Sequence, residues 1–378
     1  MKKRLIAIIL AAIMVLGLAA CAAKPAQEAP KAEEPKAEET KVEETKEPET
    51  TEEPEAVVEE TPAEPEYEET KITFSFFGAE TTPSGMGIEK FKELIEEKTA
   101  GKVTVDTYYN GTLYNQGSDS EALMKGSVDM IVGSVDSLYD YIPELKSTFG
   151  PYLWKSMEHY NAFWETETGA ALMQRCADEL GIHFLAFNCS GWRHINLNED
   201  RKISSRGDLA STKLRSATSE AMLTMTESLG ANPIPVPFSD TYLSIQTNVV
   251  SGNEGDVNGT VSNGLGEVLK SITLTKHCIS TNAIWCSQKS WEKWSPAVQE
   301  IVKECAVESC LYVNGLVDDL EKESVATLEA QGIVFYELTD EEREAYRQEV
   351  LEYFMSTDFA ADYDKAVYDA VIECGNNF

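Results

Sequence analysis

Residues 212–238, TKLRSATSEAMLTMTESLGANPIPVPF, combine two hydrophobic periods in one short stretch. TKLRSAT is typical of an extended run, and SEAMLTMTESLG spaces its apolar residues as a helix does before Gly230 ends it. In NPIPVPF the apolar residues alternate, as they do in a strand. This β-α-β order predicts parallel strand pairing and an α/β layer. Arg215 lies on the first strand, between a leucine and a serine.

The same order of elements occurs earlier in the chain. Residues 71–134 alternate strand and helix patterns, in the order KITFSFFGA, GMGIEKFKELIEEKTAG, KVTVDTYYNG, SEALMKGS and VDMIVGS. Between the two sets, residues 181–197 favour two extended runs around a Ser-Gly break. We therefore predict an α/β fold with two lobes. Clefts at domain junctions and at the carboxyl ends of strands are the usual ligand sites, so the ligand is expected between the lobes.

The helical pattern that begins at Ser295-Pro296 is long for a domain of this size. It continues for about 35 residues, which predicts one helix of about 50 Å that bridges the lobes. Two helices broken near Gly315 are the alternative. With a late return of the chain to the first lobe, lobe I comprises about residues 71–191 and 281–315. Lobe II comprises about residues 192–280 and 316–378.

The first 70 residues are not predicted to belong to this fold. MKKR and the apolar run that follows it are typical of a secretory signal, and LAAC at residues 18–21 has the form of a bacterial lipobox. Cleavage before Cys21 would leave a lipid anchor, while an ordinary signal with a chance cysteine is the alternative. Residues 22–70 contain 18 Glu, 5 Lys and 7 Pro, a composition that favours a disordered tether. An acidic tail for a basic partner is the other interpretation.

The charge of the remaining residues limits the partners of this chain. Removing the signal's three positive charges and the tether's net −13 from the total of −33 leaves −23 for residues 71–378. Such a surface should bind neither nucleic acid nor anionic lipid. The seven cysteines after the tether are odd in number and form no CxxC, which leaves Cys278–Cys286 as a candidate disulfide. The scattered histidines do not favour a metal site, and no cofactor is expected.

Five segments, in order behind the lipobox, resemble one transport family. The chain is similar, over nearly all of residues 71–378, to the solute-binding subunits of tripartite ATP-independent periplasmic (TRAP) transporters. The segments are GIEKFKELIEEKTAGKVTVDTYYNGTL, EALMKGSVDMIVGS, DLASTKLRSATSEAMLTMTESLGANPIPVPFSDTYLSIQTNVVSGNEG, LTKHCIS and SWEKWSPAVQEIVKECAVES. The resemblance implies a periplasmic-binding-protein-like fold that closes on an organic acid. It also implies delivery to an ion-gradient-driven permease, without catalysis, by a chain expected to be a monomer.

The resemblance also implies site residues. The family's carboxylate-binding arginine falls on Arg215, and a second arginine falls on Arg193 in GWRHI. Two positions depart from the pattern. Gly255 replaces an asparagine that can touch the ligand, and Ser134 stands where a polar, often acidic, contact occurs. Because of these two departures, the resemblance implies an organic acid and no particular substrate.

Side-chain chemistry supports the same region and adds further candidates. A guanidinium offers two parallel donors to a carboxylate, so Arg215 and Arg193 are the best anion-binding groups, with internal salt bridges as the alternative. Four more residues could contact a ligand, with packing as the alternative for the two aromatic ones: Trp192, Tyr242, Asn253 and Asn258. Glu254 and Asp256 would repel an acid, so each should point away or meet a ligand hydroxyl.

The sequence leaves the ligand open among sugar acids, dicarboxylates, keto acids and aromatic acids. We predict an extracytoplasmic receptor, anchored by lipid to the outer face of the cell membrane, that passes its ligand to TRAP membrane subunits. The receptor of an ATP-driven importer is one alternative. An exported α/β enzyme is another, although the chain contains neither Gly-x-Ser-x-Gly nor His-Glu-x-x-His.

Overall fold

The computed structural model of the chain describes residues 66–378. The predicted signal peptide, Cys21 and nearly all of the acidic tether lie outside these residues. The strands are β1 (Thr70–Ser75), β2 (Val103–Tyr108), β3 (Met130–Gly133), β4 (Ile182–Leu197), β5 (Lys213–Ser216), β6 (Asn232–Pro235), β7 (Gly252–Asp256), β8 (Ser271–Ser287) and β9 (Val334–Tyr336).

The helices alternate with these strands. They are α1 (Pro83–Lys98), α2 (Asp119–Met124), α3 (Met157–Trp164), α4 (Glu167–Arg175), α5 (Glu220–Ser228), α6 (Thr241–Gln246), α7 (Val257–Ser262), α8 (Gln288–Trp291), α9 (Pro296–Asn314), α10 (Val317–Ala330), α11 (Asp340–Met355), α12 (Asp358–Ala361) and α13 (Lys365–Gly375). Both predicted β-α-β sets are therefore present. No helix among residues 66–378 is long and apolar enough to cross a membrane.

One nine-stranded sheet runs through the described residues, in the order β2-β1-β3-β8-β4-β7-β5-β6, with β9 beside β8. The pairs β1–β2, β1–β3, β5–β6 and β5–β7 are parallel, as the β-α-β order predicts. The long strands β4 and β8 are antiparallel and belong to both halves of the sheet. Strand β8 pairs with β3 near its carboxyl end, and β4 pairs with β7 near its own carboxyl end, which lies at the opposite end of this antiparallel pair. The two strands therefore join the halves.

Strand β4 corrects the prediction of two separate extended runs in residues 181–197. The structure has one strand, and the Ser-Gly break appears as a shift of register against β8 between Cys189 and Trp192. Gly191 has a φ of +114°, a conformation that other residues rarely adopt. The strand therefore bends where it passes from one half of the sheet to the other.

The prediction of one continuous helix is wrong, and the alternative of two helices broken near Gly315 is confirmed. Helix α9 ends at Asn314 and α10 begins at Val317, so the break falls at Gly315, as glycine's poor helix propensity favours. Away from the break the two helices pack in different cores, while Val313 and Val317, on either side of the break, share a third core. Apolar residues of α9 pack with β1, β2 and α1, whereas Leu328 of α10 packs beside β8 and α7.

The candidate disulfide is also wrong. Cys278 and Cys286 are both free and buried, as are most of the other described cysteines. They lie eight residues apart on the same extended strand, which separates them by roughly 26 Å. That distance is far beyond the reach of a disulfide.

The predicted lobe bounds remain a prediction. Val367 and Val371 of α13 share a hydrophobic core with Leu145, Tyr160 and Phe163, which belong to the predicted lobe I. The carboxyl-terminal helices thus pack across the predicted boundary, which placed all of residues 316–378 in lobe II.

Candidate functional site

A cavity of about 130 Å³ lies where the carboxyl ends of β1, β3 and β5 face the crossing of β4 and β8. Its walls are partly aromatic, with Phe77, Tyr139 and Phe149 among the lining side chains. Five charged side chains also line it: Asp136, Arg193, Arg215, Glu254 and Asp256. The cavity therefore lies at the position that the strand order predicts for a ligand.

Arg215 is buried, with 2% of its surface exposed, yet it forms no ion pair with any described residue. Its Nε donates to the Val236 carbonyl at 2.9 Å, and Nη2 donates to Gln116 Oε1 at 3.1 Å. Burial lowers the pKa of Arg215 to about 10; Glu254 opposes this shift and Arg193 adds to it. A guanidinium held in this way is a charge without an anion.

Strand pairing fixes the direction of that guanidinium. Arg215 lies opposite Ile234 of β6 and opposite Asn253 of β7, so its strand is flanked on both sides. The guanidinium lies over the Phe238 ring, with Arg215 Cζ 5.4 Å from the centroid of the ring. Nη1 makes no hydrogen bond within residues 66–378, which leaves the outer edge of the fork, Nη1 with the second hydrogen of Nη2, available to a carboxylate.

Arg193 has a protein partner, in contrast to Arg215. Its Nε and Nη2 donate to the two carboxylate oxygens of Glu254 at 2.7 and 2.6 Å, and Nη1 donates to Ser280 at 3.2 Å. Burial opposes ionisation of Glu254, but the Arg193 charge and a hydrogen bond with His277 lower the pKa of Glu254 to about 2. Glu254 therefore points at Arg193 rather than at a ligand anion. The internal ion pair that was the alternative for both arginines occurs only at Arg193.

His277 extends this pair away from the cavity. Its Nε2 lies 3.4 Å from Glu254 Oε2, and its Nδ1 lies 2.8 Å from the Thr275 hydroxyl. Burial lowers the pKa of His277 in spite of the neighbouring carboxylate. A neutral ring that donates from Nε2 to Glu254 and accepts from Thr275 satisfies both contacts.

Three other predicted residues line the cavity: Ser134, Asn253 and Gly255. Asn253 donates to the Glu254 carbonyl at 3.3 Å and accepts from Asn196 at 3.5 Å. A Cβ at Gly255 would lie 2.8 Å from Asn253 Nδ2, so the missing side chain makes room for Asn253.

The remaining three predicted residues do not line the cavity. Trp192 packs against the core near β4, and the Tyr242 hydroxyl donates to Glu267 at 2.8 Å. Asn258 donates to the Ser190 carbonyl at 2.8 Å and accepts from Ser324 at 2.7 Å. Asn258 thus ties α7 and α10 to β4 behind the cavity, and for Trp192 and Tyr242 packing is the observed role.

Gln116 and Asp136 are among the lining residues that sequence reasoning missed. Gln116 Oε1 accepts from Arg215 and, at 3.2 Å, from the backbone N–H of Phe238. Asp136 accepts a hydrogen bond from the Ser219 hydroxyl, across the cleft between the predicted lobes. Each follows the carboxyl end of a parallel strand, β2 or β3, and this placement is the signal that could have identified them.

The charged residues do not form a metal site. Among residues 66–378 no group of three or more histidine, cysteine, aspartate and glutamate side chains is placed to hold a metal ion. Burial raises the pKa of the Cys278 thiol, which lines the cavity, to about 12. That thiol is not an activated nucleophile at neutral pH.

The family model of bacterial extracellular solute-binding proteins, family 7 (DctP), matches residues 74–357. The chain belongs to this family. Among curated relatives, the C4-dicarboxylate-binding periplasmic protein DctP of Rhodobacter capsulatus is 30% identical over 279 residues, which cover 73% of this chain and 83% of that protein. The resemblance to TRAP solute-binding subunits is thus confirmed.

Solved structures confirm the fold of this family 7 protein. A TRAP solute-binding protein of Roseobacter denitrificans with bound 3-deoxy-D-manno-oct-2-ulosonic acid has a TM-score of 0.76 and 29% identity, covering 82% of this chain and all of that chain. One of Shewanella oneidensis with bound succinate has a TM-score of 0.75 and 25% identity, covering 81% and 99%. The predicted two-lobed α/β architecture is therefore confirmed.

Proposed function

We propose that this family 7 protein is a receptor that captures an organic acid between its lobes and delivers it to a TRAP permease. The observation that carries the proposal is the buried Arg215, which lines a cavity without a carboxylate partner among the described residues. Burying a guanidinium without an anion is unfavourable, and a ligand carboxylate would remove that cost. The acids bound to the two related structures both carry a carboxylate.

Contacts across the cleft support closure around the ligand. Gln116 of the predicted lobe I accepts from Arg215 of lobe II, and Asn115 donates to Ser239 at 3.4 Å. A ligand that contacts both sides would add to these bonds only in the closed form, and so would shift the population toward it. A permease could then distinguish the loaded receptor from the empty one by its shape.

The remaining parts of the proposal concern the cell and the chemistry. We propose anchoring through a lipid on Cys21, with the receptor outside the membrane as a monomer. We also propose that the protein performs no catalysis. Its cavity holds a cysteine with a raised pKa and an arginine–glutamate pair, which supports binding rather than nucleophilic chemistry.

A thermal-shift screen of the purified protein against organic acids tests the proposal. We expect at least one acid to raise the melting temperature, and Arg215→Ala to abolish that rise because the carboxylate loses its charged donors. A charge-assisted hydrogen bond contributes about 1.5–3 kcal/mol, so affinity should fall roughly 10- to 150-fold. Arg347→Ala is the control, since Arg347 does not line the cavity and its side chain, 42% exposed, pairs with Glu344. An unchanged shift in Arg215→Ala, or turnover of the bound acid, would refute the proposal.

A further inference from the structure

The charges that line the cavity are unequal in number. There are two cations, Arg193 and Arg215, and three carboxylates, Asp136, Glu254 and Asp256. Both oxygens of Glu254 are already bonded to Arg193. Arg215 is then the one lining cation without an ion pair among the described residues, and it can neutralise one ligand carboxylate.

A second ligand carboxylate would need a positively charged partner, but Asp136 carries a negative charge. It forms no ion pair with a described residue, and its bonded partner is the neutral hydroxyl of Ser219. Its charge is felt by other lining groups: after burial, it is a further cause of the raised pKa of Tyr160 and of Cys278. A ligand anion near this wall would be repelled by the uncompensated charge of Asp136.

Asp256 places a second carboxylate on another wall of the cavity. It is 8% exposed and accepts the Gly259 N–H at 2.7 Å, as the N-cap of α7. Burial raises its pKa even though Arg193 lies near. Ionised carboxylates only accept hydrogen bonds, so the groups that satisfy these walls are donors such as hydroxyls.

We propose that the ligand carries a single carboxylate, bound by Arg215, and hydroxyl groups that donate to Asp136 and Asp256: a hydroxylated monocarboxylate rather than a diacid. This inference rests on the proposed function, because it assumes that Arg215 binds a carboxylate. The polar wall of Ser134, Ser280 and Asn282 can pair with further hydroxyls. The aromatic wall limits how many hydroxyls the ligand can carry.

Matched pairs of acids test the inference on the full chain. In each pair the two acids share a carbon skeleton, and a terminal alcohol in one is a second carboxylate in the other: galactonate and galactarate, gluconate and glucarate, 4-hydroxybutyrate and succinate. Isothermal titration calorimetry should show the monoacid binding at least about tenfold more tightly in every pair that binds, because only the diacid brings a second charge toward Asp136. A diacid that binds as tightly as its monoacid would overturn the inference.

A substitution at Asp136 tests whether its charge causes the preference for the monoacid. Asp136→Asn keeps the shape and removes the charge, so the preference for the monoacid should fall by about tenfold. Asp140→Asn, an exposed neighbour on the same segment, should leave the preference unchanged. Melting without ligand reports whether each variant folds, and if Asp136→Asn does not fold, the pairs on the unmodified chain still decide. An unchanged preference in folded Asp136→Asn would refute the role of Asp136.

The two levels of the proposal fail in different ways. Tight diacid binding that is lost in Arg215→Ala refutes the single-carboxylate ligand and retains the receptor function. If acids without a hydroxyl group bind in preference to every hydroxylated acid, the inference of a hydroxylated ligand is also refuted, and the receptor function is again retained. If no acid binds, or if binding survives Arg215→Ala, the carboxylate-receptor function itself is refuted.

Discussion

Gln116→Glu would supply Arg215 with the anion that it lacks. Glutamate has nearly the shape of glutamine, so the substitution places a carboxylate oxygen where Gln116 Oε1 now lies, 3.1 Å from Nη2. The pKa of Arg215 is about 10 instead of its usual 12.5, which corresponds to roughly 3 kcal/mol of destabilisation at neutral pH. A charge-assisted hydrogen bond from Arg215 to the new carboxylate would offset about 1.5–3 kcal/mol of this destabilisation. The free energy of unfolding without ligand should rise by that amount.

The same substitution should weaken ligand binding. The new carboxylate neutralises Arg215 from within and repels an anionic ligand, so affinity should fall by at least the roughly 10- to 150-fold that corresponds to 1.5–3 kcal/mol. The two effects have opposite signs, which a general loss of structure cannot produce. Urea unfolding and calorimetric titration measure them on the same sample. Gln246→Glu, an exposed glutamine, is the control.

The reasoning fails under two outcomes. A Gln116→Glu variant that binds its acid as tightly as the unmodified chain would mean that Arg215 is not the ligand's partner. A variant that is less stable without ligand would mean that the buried guanidinium is already satisfied. Either result contradicts the account of Arg215 as a charge held ready for an anion.

Further predictions concern the ion pair and the glycine beside the cavity. Arg193→Ala should cost about 3–5 kcal/mol in urea unfolding, because it leaves Glu254 charged and buried; a cost below 1 kcal/mol would contradict the pairing. The pKa of Glu254 is lowered from 4.5 to about 2 in the folded protein, so its ionised carboxylate stabilises the fold above pH 4.5. This contribution is lost as the pH falls from about 4.5 toward 2. Glu254→Gln should flatten the fall of stability in that window, and an unchanged pH profile would refute the assignment. Gly255→Ala should cost about 1 kcal/mol and weaken binding by displacing Asn253, whereas Gly207→Ala, with its nearest contact at 3.6 Å, should do neither.

Local pattern predicted much of this molecule. The β-α-β sets could be predicted because the hydrophobic periodicity of each strand and helix lies within a short stretch of sequence. Arg215 was identified from its own strand and from the motif that flanks it. Its place in the cavity follows from parallel strands that end at one edge of the sheet. These features depend on contacts that are close in sequence or on a rule of topology.

Features that depend on register between distant strands were not predicted. Arg193 meets Glu254 because β4 pairs with β7 across 61 residues, and no local signal encodes that pairing. For Tyr242 the sequence left ligand contact and packing both open, and the structure shows its hydroxyl donating to Glu267. The sequence offered the break at Gly315 only as the alternative, because the apolar pattern continues across that residue.

A crystal structure of the protein with an acid identified by the thermal-shift screen tests the central claim most directly. The account predicts one ligand carboxylate within about 2.7–2.9 Å of the Arg215 guanidinium, with the Arg193–Glu254 pair intact. A ligand whose carboxylate is bound elsewhere, with Arg215 still bonded only to Gln116 and the Val236 carbonyl, would contradict it.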